Sequence, residues 1–382
     1  MVEYKKLGDV CNILNGYAFK SQEYVPEGIR IIRISDVQNG YISDKDMVYY
    51  PFEKVHEIER YLLNKGDVVM SLTGNPGRVA IVVDNCALNQ RVACLRPTNV
   101  NMSFVYYLLN CKEFEMIAFA NSTGGAQKNL STTWLKEYNI PIPPLSEQQR
   151  IVDILDTFIS SIENIKEQIA QRRKQYEYYR DQFLDLEGKN VKDVHSWGEF
   201  AEMIKGNGVQ KVDFVEEGIG CIHYGQIYTH YGSFTYTTNK FVTKETFEKA
   251  RKASKGDIIM TDTSENVEDI CKSVAYLGED DIAVSNHALI IKHNQNPKYL
   301  SYSTQTKSFF NQKRKVVVGV KVSGIKPEHL AQIKIYLPSS DEQLRIVSIL
   351  DTFEASIANL EAQLALREKQ YEYYRNKLLT FE

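Results

Sequence analysis

Two stretches of the chain space their apolar residues in steps of four and three without a break. Ile151, Leu155, Phe158, Ile162, Ile165, Ile169, Arg172, Tyr176, Tyr179, Phe183 and Leu186 make the first. Ile346, Leu350, Phe353, Ile357, Leu360, Leu364, Arg367, Tyr371, Tyr374, Leu378 and Phe381 make the second. This rhythm is the a/d seam of a coiled coil. Each predicts a helix of about 38–40 residues, hence ~57–60 Å at 1.5 Å per residue. Pro143-Pro144 ends whatever precedes, and Ser146 to Gln149 has the S-x-x-Q spacing of a capping box, repeated at Ser340 to Gln343. Two matched seams on one chain are expected to pack together, antiparallel, holding the segments between them at opposite ends. Arg172 and Arg367 interrupt equivalent seam positions, either to fix register or with their guanidinium groups reaching out to solvent.

The two stretches are also copies. Between Glu147 and Leu184, 24 of 38 positions are identical to the residue 195 further on, with no gap. A fainter repeat precedes each. Lys65-Gly66-Asp67-Val68-Val69-Met70 and Gly16 align with Lys255-Gly256-Asp257-Ile258-Ile259-Met260 and Gly206 at an offset of 190. The chain is therefore an internal duplication, expected to be pseudo-twofold. Domains are expected at 1–145 and 188–339, with long helices at 146–187 and 340–382.

In the first domain, β-branched runs at Ile29–Ile34, Val68–Leu72, Val79–Val83 and Val92–Leu95 alternate with Gly, Asn and Asp turns. A helical stretch follows at Phe104–Phe119, matched by Tyr299–Phe310 in the second. The fold class is α+β: two α+β heads joined by two long helices.

Composition adds limits. No apolar run approaches the ~20 residues of a membrane span, and Met1 to Lys6 lacks a signal-peptide core. Cys11, Cys86, Cys94, Cys111, Cys221 and Cys271 show no metal spacing and are expected to be reduced core thiols of a cytoplasmic protein. A net charge of −3 excludes a uniformly basic nucleic-acid binder, although basic clusters stand at Lys249–Lys252 and Lys313–Lys315.

The two heads diverge in the polar residues that follow matched scaffolds. Ser71, Thr73 and Asn75 stand against Thr261, Thr263 and Ser264. Asn89, Gln90 and Arg91 stand against a segment holding Asn286 and His287; Gln127, Lys128 and Asn129 stand against one holding Lys321 and Ser323. Such side chains can bond base edges, and with Ser35, Arg78, Tyr224 and Gln226 they are the candidate DNA-binding set; ordinary turn roles are the alternative for each. Asp262, Glu265, Glu268 and Asp269 are carboxylates that a metal-dependent nuclease could use, but in this serine-rich loop they suit a solvated turn or acceptors for cytosine N4 equally well. Tyr178 and Tyr373 fall off the seam and, with Arg180 and Arg375, have the composition of a partner-binding surface.

The order of variable domain, Ile140-Pro-Ile-Pro-Pro-Leu-Ser-Glu-Gln-Gln-Arg-Ile-Val152, long helix, second domain and second long helix resembles the specificity subunit of type I restriction–modification enzymes. The second copy departs from the pattern: Leu337-Pro338-Ser339 lacks the double proline, and Gly319-Val320 replaces Gly124-Gly125. The resemblance implies two target recognition domains, each reading one half of a split asymmetric DNA site, with the helices setting the spacer. It implies that they dock two methyltransferase subunits, joined by motor-nuclease subunits. S-adenosylmethionine, ATP and Mg would then act on those partners in adenine-N6 methylation and ATP-dependent cleavage, and this chain would be non-catalytic, without cofactor or metal. No P-loop, methyltransferase tetrapeptide or metal-ligand spacing stands in the sequence. Two other classes are a coiled-coil scaffold with protein-binding heads and a self-sufficient nuclease or methyltransferase.

Overall fold

The computed structural model describes residues 2–125, 127–317 and 323–381. The chain divides into two compact units, Met1–Ile165 with Gln363–Glu382, and Lys166–Ala362. The units cut across the long helices. Each helix contributes its N-terminal half to one unit and its C-terminal half to the other.

The first unit is built on two sheets. One runs Cys11–Asn15, Val92–Pro97, Val68–Ser71, Val79–Ile81, all antiparallel. The other runs Val48–Tyr50, Ile29–Ile32, Cys86–Leu88, Leu62–Leu63, with its central pair parallel. Val68–Ser71 is buried at every position, which explains its continuous apolar run rather than an alternation. The second unit repeats this plan with an extra strand at one edge of each sheet, Phe234–Thr235 and Phe214–Val215.

The single helices expected at Phe104–Phe119 and Tyr299–Phe310 are each two. Met102–Leu109 and Lys112–Ala120 are separated at Asn110–Cys111, and the Cys111 Sγ accepts from the Phe114 N–H to start the second. Pro297–Ser303 and Lys307–Val316 are separated likewise, with Thr306 as the N-cap. A side chain that satisfies the first free N–H groups restarts the helix in a new direction.

The long helices span Leu145–Leu184 and Ser340–Leu379, 40 residues each. Neither starts with a capping box. The first begins one residue early, so Ser146 lies inside it, and Gln149 bonds Asp153 and Asn101. Gln148 instead ties the helix start to its neighbouring segments. It is 1% exposed, donates to the Pro143 carbonyl at 2.7 Å and accepts from the Asn101 N–H at 2.9 Å. Gln343 does the same in the second unit, with Pro338 at 2.9 Å and Asn296 at 3.1 Å. Further along, the Tyr107 hydroxyl donates to Asp156, and Tyr302 donates to Asp351 at 2.7 Å. Burial pushes both phenols up, so both remain protonated donors.

The seams pack antiparallel within each unit. In the first, Ile151 and Leu155 cluster with Leu378 and Phe381, while Phe158 stacks on Tyr374 at 5.3 Å. In the second, Tyr179 stacks on Phe353 at 5.5 Å and Arg173 pairs with Glu361 at 2.5 Å. The seam arginines resolve in one way: Arg367 lies over the Phe158 ring at 5.7 Å, and Arg172 over Phe353 at 5.8 Å. Both are cation–π contacts made across the seam, not groups reaching out to solvent. No described helix is long and apolar enough to cross a membrane.

Candidate nucleic-acid interface

Three separate segments meet in each unit through main-chain hydrogen bonds. In the first, the Leu72 N–H donates to the Arg91 carbonyl at 3.0 Å, and the Leu130 N–H donates to the Leu72 carbonyl at 2.7 Å. In the second, Asp262 donates to His287 at 3.1 Å, and Ile325 to Asp262 at 2.9 Å. Short ribbons flank both knots, Thr73–Gly74 with Lys128–Asn129 and Thr263–Ser264 with Ser323–Gly324. Two glycines permit the close packing: a Cβ at Gly16 would lie 2.2 Å from the Asn89 carbonyl oxygen, and at Gly206 2.3 Å from that of Ser285. The aligned segments of the sequence are thus one frame, built twice.

The frame separates the candidate side chains into free and spent. Ser71, Thr261 and Gln226 are spent. The Ser71 hydroxyl, 1% exposed, donates to the Asn75 carbonyl at 2.6 Å; Thr261 is fully buried against Lys272; Gln226 bonds Asn239 and the His223 N–H. These three hold turns closed from inside and are corrected from readers to turn supports. Thr73 is buried and bonded to Asn129, and the Arg78 guanidinium is held by Gln38 at 2.8 Å and Glu115 at 3.5 Å. Asn89 accepts from the Arg91 N–H, Asn286 from the Gly208 N–H, and Ser35 donates to Asp36. Lys128 sits over Phe119 at 5.3 Å. Asn75, Gln90, Arg91 and Gln127 are exposed, and their side chains have no partner among the described residues. Lys321 lies outside the described residues, as does the side chain of Ser323.

In the second unit, Tyr224, Tyr228, Thr263, Ser264, Glu265, Asn266, Asp269 and His287 line a cleft of about 470 Å³. His287 is held at φ 64° with its ring edge-on to Tyr224 at 5.3 Å. The Tyr228 hydroxyl donates to the Thr263 carbonyl at 2.6 Å, and Lys272 donates to the Tyr228 carbonyl at 3.1 Å. Asp262 is buried, with one oxygen 3.1 Å from Lys205 and the other unpartnered. Its counterpart is Leu72. Behind the loop, Lys313 is buried and donates to the carbonyls of Glu268 at 2.8 Å and Ile270 at 2.6 Å; burial lowers its pKa. Cys271, at φ 64°, occupies the place of Gly77, and burial pushes its thiol up to about 12. Tyr228 and Lys272 escaped the sequence reading, and Lys313, read there only as part of a basic cluster, is buried behind the loop.

At the helix ends, Tyr178 and Tyr373 are 63% and 61% exposed. Arg180 and Arg375 are instead laid over Tyr176 and Tyr371, at 5.7 and 5.6 Å.

The model of the type I restriction modification DNA specificity domain matches the chain twice, at residues 1–172 and 199–366. The chain belongs to the type I restriction–modification DNA specificity family. Its sequence is 26% identical to a putative type I specificity subunit of Haemophilus influenzae, S.HindORF215P, over 100% of this chain and 96% of that one. It is 29% identical to the EcoR124I/EcoR124II specificity subunit of Escherichia coli over 73% and 71%. With the EcoAI specificity subunit of Escherichia coli it shares 31% identity over 48% of this chain and 32% of that one. The fold is similar to the S subunit from M. genitalium, with a TM-score of 0.59 at 15% identity over 100% and 97% of the chains. It is also similar to a chain from a structure on complex assembly and conformational transition of the type I R-M system, with a TM-score of 0.60 at 17% identity over 99% and 96%. Membership gives the chain a role in DNA sequence specificity, and the relatives are named as specificity subunits.

Proposed function

We propose that each of the two frames reads one half of a bipartite, asymmetric DNA site, and that the paired helices set the number of unread base pairs between the halves. The observation that carries this reading is the repetition of one main-chain frame bearing two different sets of unspent side chains. One scaffold furnished in two ways suits two unlike half-sites on one duplex. In the first head the readers are Asn75, Gln90, Arg91 and Gln127, with Asn129 and Lys128 beside them. In the second they are Tyr224, Thr263 and His287, with Ser264, which accepts from the Asn266 N–H at 3.4 Å, beside them. Continuous 40-residue helices, about 60 Å each at 1.5 Å per residue, give a spacer of defined length.

The helix ends, with exposed Tyr178 and Tyr373, dock two methyltransferase subunits, and motor-nuclease subunits join that assembly. S-adenosylmethionine, ATP and Mg are bound by those partners, in the cytoplasm, and this chain supplies no reacting group. Methylated adenines mapped across the genome with and without the chain test the reading. A two-part motif that disappears with the chain is expected. An unchanged methylation pattern, together with no salt-dependent binding to duplex by the chain and its methyltransferase partners, would leave a protein scaffold as the function.

A further inference from the structure

The two frames differ in the sign of what they leave unpaired. In the first head the cations near the frame are Arg78, Lys128 and Arg91. Arg78 is held by Gln38 and Glu115, and Lys128 rests over Phe119. Arg91 alone among them is exposed and without a partner among the described residues. Its main chain is pinned at both sides, by the Leu72 N–H on its own carbonyl and by the Asn89 side chain on its own N–H. A guanidinium fork on a fixed backbone is therefore presented outward.

The second head is the reverse. The residue at the place of Leu72 is Asp262, a buried carboxylate with one oxygen on Lys205 and one without a donor. Asp269 is bonded by Asn266 at 2.8 Å, and Lys272 is spent on the Tyr228 carbonyl. Glu265 lines the cleft beside Thr263 and His287, exposed and without a partner. The buried Asp262 oxygen without a donor is an observation independent of that exposed carboxylate, and both give this frame an acceptor that its neighbours leave unpaired.

Resting on the reading that both frames touch base edges, we propose that the two heads select opposite hydrogen-bonding edges: Arg91 takes a guanine, and Glu265, on the neighbouring segment of the other frame, takes a cytosine amino group. The guanidinium matches the adjacent O6 and N7 acceptors of guanine with two parallel bonds. A carboxylate only accepts. Adenine offers an amino group, but its N7 lone pair stands beside it and repels a carboxylate. Cytosine offers N4 flanked on its own ring by C5–H instead of a ring-nitrogen acceptor, so Glu265 favours cytosine. A carboxylate facing phosphates would only weaken binding, so Glu265 in a DNA-reading frame acts at a base.

The test uses the chain assembled with its methyltransferase partners, once the methylated motif is known. Binding to duplexes carrying 7-deazaguanine at each guanine in turn is measured for the unaltered chain, Arg91→Ala and Arg91→Lys. At one guanine of one half-site, loss of N7 is expected to weaken the unaltered complex roughly 10- to 100-fold and to leave both variants unaffected. Glu265→Gln is expected to relax a cytosine position in the other half-site only. If Arg91→Ala weakens all sequences alike and lowers the salt slope by about one while Arg91→Lys binds normally, Arg91 is a phosphate contact and the proposal is overturned. It is equally overturned if no guanine analogue separates the variants from the unaltered chain, or if Glu265→Gln leaves the motif unchanged. A complex that methylates no motif dependent on this chain would instead overturn the reading beneath it.

Discussion

Replacing Gln148 by alanine removes the side chain that joins the first long helix to its head. Two polar main-chain groups lose their partner, the Asn101 N–H at 2.9 Å and the Pro143 carbonyl at 2.7 Å. At 1% exposure of Gln148 the surroundings offer them little water. Leaving a buried polar group unpaired costs about 1–3 kcal/mol, so the pair predicts a loss of about 2–6 kcal/mol. With a urea slope of about 2 kcal/mol per molar, the midpoint should fall by roughly 1–3 M. The chain holds two tryptophans, Trp134 in the first unit and Trp197 in the second. Single-tryptophan variants, Trp134→Phe and Trp197→Phe, therefore report each unit separately by fluorescence. Gln148→Ala should move the Trp134 transition, and Gln343→Ala the Trp197 transition, the latter at least as far because Gln343 also bonds Gln295. A shift below about 0.5 kcal/mol at the local reporter, within the range of an ordinary surface change, would refute this accounting of the helix–head joint.

Glu354 gives a pH test. Its carboxyl is pushed up from the ordinary value of 4.5, first by burial, against bonds from Ser233 and Tyr302. A raised folded pKa means the folded unit binds the proton more tightly, so this stabilisation is complete below pH ~4.5 and is lost as pH rises through the folded pKa. Relative to Glu354→Gln, the Trp197 transition should weaken from pH 4 to 7. A difference that does not change with pH would refute it. Tyr178→Ala with Tyr373→Ala should leave both unfolding transitions in place and reduce co-purification of the methyltransferase; undiminished capture would remove the tyrosines from the docking surface. Inserting one heptad into both helices should widen the unread spacer and leave both half-sites unaltered, as mapped by adenine methylation. Altered half-sites would refute the spacer role.

The duplication and the long helices were legible because they are written in strict periodicity, which survives any tertiary context. The role of the Glu-Gln signature was not: Gln148 and Gln343 look like exposed polar residues at a helix start, and only the fold brings Asn101 and Asn296 against them. The breaks at Asn110–Cys111 and Thr304–Thr306 were hidden for a similar reason. A cysteine capping a helix through Sγ leaves no gap in the apolar pattern. Among the candidate readers, the polar runs of the sequence could not separate Ser71 and Thr261, turned inward, from Asn75 and Arg91, turned outward. Both kinds sit in the same polar runs, and burial of a hydroxyl depends on which neighbouring carbonyl closes over it.

Because the frames are tied by amide and carbonyl groups of residues 72, 91 and 130 and of 262, 287 and 325, the tie is blind to the identity of the side chains it carries. Leucine can stand where the other copy has aspartate, and arginine where it has histidine, with the same bonds in place. At the exposed places, 91 and 287, new side chains can therefore accumulate with small stability changes, typically within about ±0.5 kcal/mol, whereas 72, 130, 262 and 325 are buried. Diversification of what is read is then limited by the partners' tolerance and the genome's supply of sites, not by the architecture.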